Sequence, residues 1–289
     1  MRFNYEQQAH SSPKELFIGD REIDNAYERA LEILGNPIDP KTFTDYKDVQ
    51  ADIEFVQKME ERFAEESGRL SPEVKRLQKL AKIFEAIIFQ HAEQSNWFGE
   101  SATTLETSRY DDIVNKVDAI VEFQEGESSA SHLAVAMDVT IAEHFGAKFD
   151  HVKQGIDEGK LTEVKYFASD FLNIRGRKSK VPHVIIGVDR KTLYDVIDAW
   201  MKGDNRRLAD HPVQIKILEE IRVQLRAYQK YAEQVGKEDL VPIYQKTEST
   251  ISAIMREKDI TADDLKDTAK DEMFYAIKFN AEHLADRKS

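Results

Sequence analysis

Two short apolar runs at the centre of the chain constrain its fold more than any other stretch. Asp118 opens the first, Val117–Phe123, and Asp138 ends the second, His132–Thr140. Both read as strands, joined by the polar stretch 124–131. Paired as a hairpin, they set the start of one strand beside the end of the other, so the two carboxylates fall side by side. Such a pair is costly unless positive charge lies between the acids, and a divalent cation is the usual answer. The plainer alternative is that both aspartates cap strand-end turns, where aspartate is common.

The rest of the chain reads as helix around a mixed centre. Ile23, Ala26, Tyr27, Ala30, Leu31 and Ile33 recur at helical spacing, and a second helix is predicted over 51–66. Ser71-Pro72 supplies an N-cap with proline at the first helical position. It opens a helix whose stripe runs Val74, Leu77, Leu80, Ala81, Phe84, Ile87, Ile88, Ala92. Beyond the two central runs, the pattern predicts a helix over 142–158 and strands at Glu163–Ala168 and Val181–Val188. A loop at 172–180 and a helix at Lys191–Met201 follow. Helices are then expected over His211–Val235, 238–257 and 262–285, with Thr261 and Asp264 capping the last. This is an α/β (α+β) pattern: an N-terminal helical region (1–73), a core with a small mixed sheet of about four strands (74–202) and a C-terminal helical region (203–289).

Composition narrows the function classes. Charged residues are 33% of the chain and the formal net charge is −13, which disfavours broad nucleic-acid binding unless a local basic patch supplies the contacts. There are no cysteines, so disulfides, thiol nucleophiles and cysteine metal sites are excluded, and a reducing cytoplasm suits the chain. No apolar run approaches the roughly 18–20 residues of a membrane helix, and the N-terminus lacks the apolar core of a signal peptide. Phosphate-loop and nucleophile-elbow motifs are absent. The histidines lack ligand spacing, and His144 and His151, seven apart, make a poor metal pair.

One further acid joins the aspartates. Glu85 shares a helix face with Leu77, Ala81, Ile88 and Ala92, and a carboxylate on a buried stripe needs a partner. A structural salt bridge would satisfy it equally well. An acidic helix, an aspartate at a strand start, then an acid on the next strand resembles the PD-(D/E)xK nuclease superfamily, over about residues 74–200. The resemblance implies a restriction-endonuclease-like core and phosphodiester hydrolysis with Mg²⁺ (or Mn²⁺) held by Asp118 and Asp138, with Glu85 assisting. The ion would polarise the phosphate and lower the pKa of an attacking water.

The departure is Thr140, which stands where the family has lysine. Lys165 is the first candidate for a displaced lysine and Lys116 the second. Alternatively the metal suffices, or the site is silent and Thr140 is an ordinary strand residue. Glu100 could replace Glu85, Asp111 and Asp112 could approach from the loop, and Glu122 lies on the face of Asp118 in a regular strand. The densest basic stretch, Arg175-Gly-Arg-Lys-Ser-Lys180, is read as a flexible loop whose Arg175, Arg177, Lys178 and Lys180 hold phosphates, or else as a solvated charged loop. The leading expectation is a cytoplasmic metal-dependent nuclease acting on nucleic acid, DNA ahead of RNA. The alternatives are a catalytically inactive nuclease-fold binding or assembly module, and a helical regulatory protein. The long C-terminal helices could also form a dimer interface.

Overall fold

The computed structural model describes residues 18–126, 129–139, 145–169, 171–268 and 271–287; for 134–139, 145 and 266–268 it describes the backbone alone. The N-terminal region holds α1 (Asp20–Ile33), a 3₁₀ turn (Pro40–Thr42), α2 (Val49–Gly68) and α3 (Pro72–Gln94). Ser71 caps α3 as its sequence predicts, its Oγ accepting from the Val74 amide at 3.3 Å. Leu80, Ile83, Phe84, Ile87 and Ile88 of α3 are fully buried.

The centre holds β1 (Ala102–Glu106), a π-helical turn (Asp111–Asn115), β2 (Ala119–Gly126), β3 (Ser129–Val139) and α4 (Phe145–Glu158). Then come β4 (Thr162–Ala168), β5 (Arg175–Val181), β6 (His183–Val188) and α5 (Arg190–Met201). The main sheet has the order β1-β2-β3-β6. The first three strands are antiparallel, and β6 runs parallel to β3. Its two faces fill differently. Ala102, Ala119, Val121, Phe123 and Leu133 enter the large core with α3. Leu105, Val117 and Ile120 meet Val164, Phe167 and Val181 of the β4–β5 hairpin in a second, smaller core.

The C-terminal region holds α6 (Asn205–Ala209), α7 (Val213–Gln234), α8 (Val241–Glu257), α9 (Ala262–Thr268) and α10 (Glu272–Glu282). Helices α7 and α10 pack on β6, and α8 lies against α7. Buried residues from Ile18 to Leu284 belong to one apolar cluster, so all three regions share a core. No described helix is long and apolar enough to cross a membrane.

The mixed α+β class and most elements match expectation, and the short α6 and four other features differ. The five-residue β1 is unanticipated. Strand β4 does not enter the main sheet; it pairs with β5, and β1 takes the fourth place. The stretch 175–180 is a strand, not a flexible loop. An edge strand needs no apolar face when its side chains reach solvent, and pairing with β4 satisfies its backbone. The last predicted helix is two, α9 and α10. Thr261 and Asp264 cap the first by reciprocal hydrogen bonds, and Asp271 caps the second, accepting from the Phe274 amide at 2.7 Å.

Candidate functional site: an acidic cluster where two strands part

Asp118 stands immediately before β2 and is half-buried. The β2–β3 ladder closes with Ala119 opposite Val135. Beyond that point β3 continues beside β6 alone, with Asp138 opposite Gly187. Asp118 is the first residue beyond the ladder on the β2 side, and Asp138 the third beyond it on β3. Asp138 is described by its backbone only, and Thr140 lies outside the described residues.

Around this strand end gather acids that the fold brings from separate elements. Glu85, on the sheet side of α3, receives both its bonds from Lys82 one turn earlier, at 2.8 and 2.9 Å. Burial raises the Glu85 pKa, Lys82 opposes the rise, and Asp112 and Glu106 add to it. Glu106 ends β1. Burial pushes its pKa up to about 7, against Lys82, the Asn36 amide and Arg109, while Asp112 adds to the rise. Arg109 contacts Asp112 and reaches Glu60 of α2 at 3.0 Å. Burial works against the Lys82 charge, but Glu85, then Asp112 and Asp118, outweigh it and hold the ammonium above its ordinary pKa.

Four carboxylates (Glu85, Glu106, Asp112, Asp118) thus stand against two cations (Lys82, Arg109). The excess of negative charge and the all-oxygen donor set suit a hard divalent cation. Among the described residues no three His, Cys, Asp or Glu side chains converge in ligating geometry. The side chain of Asp138, which a two-aspartate site needs, is not among those described.

The remaining candidates divide by partner. Asp111 is fully buried and structural: its carboxylate accepts from Ser108 Oγ (2.7 Å), Asn115 Nδ2 (2.6 Å) and the amides of Lys165 (2.7 Å) and Tyr166 (3.0 Å). It pins the hairpin to the π-helical turn. Lys165 is held by Asp52 of α2 at 2.5 Å and lies over the Tyr110 ring. Lys116 takes a left-handed conformation (φ 59°), and its ammonium donates to the Ile113 carbonyl at 2.7 Å. Glu100 is exposed. Glu122 is fully buried, its Oε1 bonded by His132 Nε2 (3.0 Å) and Ser169 Oγ (2.6 Å). On β5, Arg175 stacks on Phe43 and reaches Thr42, while Arg177 pairs with Glu163 at 2.8 Å. Burial lowers the Lys178 pKa, with Glu122 opposing, and Lys180 is exposed at φ 60°. The His151 ring lies 6.1 Å from that of His183, and His144 is outside the described residues.

Sequence reasoning missed Lys82, Arg109 and Glu106. The first two carry a local signal, a cation three residues before an acid on a helical turn: Lys82–Glu85 and Arg109–Asp112. Glu106 carries none, because its altered pKa comes from tertiary neighbours. No family model matches the chain, and neither a curated protein nor a solved structure matches it significantly.

Proposed function

We propose that the chain is a metal-dependent nuclease with a PD-(D/E)xK-like core, hydrolysing phosphodiester bonds of nucleic acid, DNA ahead of RNA. The observation that carries this reading is the crowding of Glu85, Glu106, Asp112 and Asp118 round two cations where β2 begins and β3 runs on beside β6. A helix acid, a strand-start aspartate and an acid on the next strand follow one another along the chain as in the family it resembles, and the action of both Glu85 and Asp118 on Lys82 supports the reading. Asp118 and Asp138 would hold Mg²⁺ or Mn²⁺, with Glu85 beside them; the ion, when bound, supplies charge stabilisation at the phosphate and a more acidic water.

We place the cation missing at Thr140 at Lys82, among the acids of the cluster, and not at Lys165, which is held by Asp52 of α2. Lys82 bonds Glu85 and feels Asp112 and Asp118. Held protonated by those acids, it serves as a fixed positive charge for the phosphate and not as a base. Glu106, with a pKa of about 7, is the acid matched to exchanging a proton near neutral pH.

The test is incubation with labelled single- and double-stranded DNA and RNA, with and without Mg²⁺ or Mn²⁺. Metal-dependent cleavage that Asp118→Asn and Asp138→Asn abolish is the expected result. The second reading, an inactive nuclease-fold binding module, is favoured by the Lys82 bonds that occupy both oxygens of Glu85. It expects no cleavage of any substrate.

A further inference from the structure

We infer that the strand this site takes is unpaired, its bases stacked on a patch of aromatic rings and cations beside the acidic cluster; this rests on the nuclease reading above. The patch joins three segments: Phe43 and Tyr46 before α2, Tyr110 at the start of the π-helical turn, and Tyr166 on β4. Phe43 and Tyr166 are buried and form its floor, with ring centroids 5.1 Å apart and edge-on. Tyr46 and Tyr110 are half-exposed at its rim, each 5.8 Å from Tyr166.

Cations interleave with these rings. Lys165 Nζ lies 4.9 Å from the Tyr110 centroid and 5.6 Å from that of Tyr166. The Arg175 guanidinium lies 4.4 Å above Phe43, and Arg177 is close enough to act on the Tyr110 hydroxyl. Lys165 pairs with Asp52 and Arg177 with Glu163, while Arg175 lies over Phe43 and bonds Thr42. With the buried Asp111 carboxylate beneath the patch the charges balance, three against three, in a chain of net charge −13. Gly176 has φ +141° and shapes the rim: a Cβ there would lie 3.4 Å from the Tyr46 hydroxyl oxygen.

The patch is continuous with the acids. Arg109, which contacts Asp112, is followed directly by Tyr110, and Asp111 ties the same turn to the backbone of Lys165 and Tyr166. A strand lying on the patch therefore leads within one turn of backbone to the carboxylates. Rings interleaved with a few cations suit a single strand, because only unpaired bases offer their faces for stacking. A duplex would have to be held by phosphate contacts alone, and a strongly acidic protein with three cations here supplies few.

The test measures binding in EDTA by fluorescence anisotropy, using labelled oligo-dT, oligo-U and a mixed-sequence duplex. The single strands are expected to bind at least roughly tenfold tighter than the duplex, and comparing dT with U shows which sugar is preferred. Tyr46→Leu and Tyr110→Leu, which keep apolar bulk, are expected to lose roughly ten- to hundredfold in single-strand affinity. Tyr46→Phe and Tyr110→Phe are expected to retain it, with thermal melting confirming that each variant folds. Duplex binding as tight as single-strand binding would overturn the inference, as would folded Leu variants that bind like wild type. If the duplex is cleaved with metal and Asp118→Asn abolishes the cleavage, the nuclease reading stands while this one falls. If no nucleic acid is bound or cut, both fall.

Discussion

The Lys82 ammonium lies 2.8 and 2.9 Å from the two carboxylate oxygens of Glu85, one helical turn away on a face turned toward the sheet. A lysine and a glutamate at this spacing on an exposed helix would contribute only a few tenths of a kcal/mol. Here both are largely enclosed, and Asp112 and Asp118 act on the same ammonium. Lys82→Ala is expected to lower kcat by about 10²–10³, the usual loss when one charge-stabilising group is removed. Lys165→Ala is expected to leave kcat within a few-fold while costing about 2–3 kcal/mol of stability, since it removes the cation beside the buried Asp52 and leaves the Tyr166 hydroxyl as its donor. Measuring kcat and urea midpoints for both variants separates them; equal losses of kcat would return Lys165 to the site.

Metal binding should carry the signature of Glu106. Burial raises its pKa to about 7, so below that pH the group is protonated and its negative charge is lost to a cation. Affinity for Mg²⁺ or Mn²⁺ is therefore expected to rise with pH through about 7, and Glu106→Gln should flatten the dependence. A metal that binds only the folded chain adds about 2.7 kcal/mol at a hundredfold excess over Kd. Thermal melts with metal at several pH values check this, with Asp118→Asn as the variant expected to show no metal shift. A wild-type shift that does not vary with pH would remove Glu106 from the site.

How far this was legible in the sequence differs residue by residue. Helix α3 announces itself through Ser71-Pro72 and its apolar stripe, and Asp118 through the sharp onset of the run that follows it. Strand β1 does not: Ala-Thr-Thr-Leu-Glu is too short for its alternation to stand out, so Glu106 at its end went unnoticed. The segment 175–181 misleads for another reason. Its charges say loop, yet a two-stranded edge tolerates charge on both faces, and only the long-range pairing with β4 makes it a strand. The partnership of Lys165 with Asp52 spans 113 residues and has no local signal.

Asp111 is expected to matter for architecture and not for chemistry. Its carboxylate accepts four hydrogen bonds, two of them from the β4 backbone, and it is fully buried. Asp111→Ala leaves those donors unsatisfied and should cost about 3 kcal/mol or more in chemical denaturation. Hydrogen exchange gives a sharper readout. The Lys165 and Tyr166 amides should lose protection well beyond the global change, because their acceptor is the deleted group. Unchanged protection at both amides would show that the hairpin is held mainly by its small apolar core of Val164, Phe167 and Val181.

Glu220 makes stability depend on pH at a place remote from the acidic cluster. It lies fully buried on α7, one oxygen accepting from the Gly187 amide at 3.0 Å and the other facing Lys216 at 3.9 Å. Burial raises its pKa from 4.5 to about 8; Lys216 and the Gly187 amide oppose the rise, and Asp271 and Asp189 add to it. The folded chain therefore holds a proton between those two values that the unfolded chain has released. The contribution is full below about 4.5 and declines as pH rises, by at most about 1.4 kcal/mol per pH unit, until it is lost above about 8. Glu220→Gln keeps an acceptor for the Gly187 amide but cannot ionise. Its stability should fall less steeply across that window, and it should exceed wild type at the alkaline end. Urea unfolding of both proteins across the window decides the matter: parallel curves would mean that Glu220 stays charged, held so by Lys216.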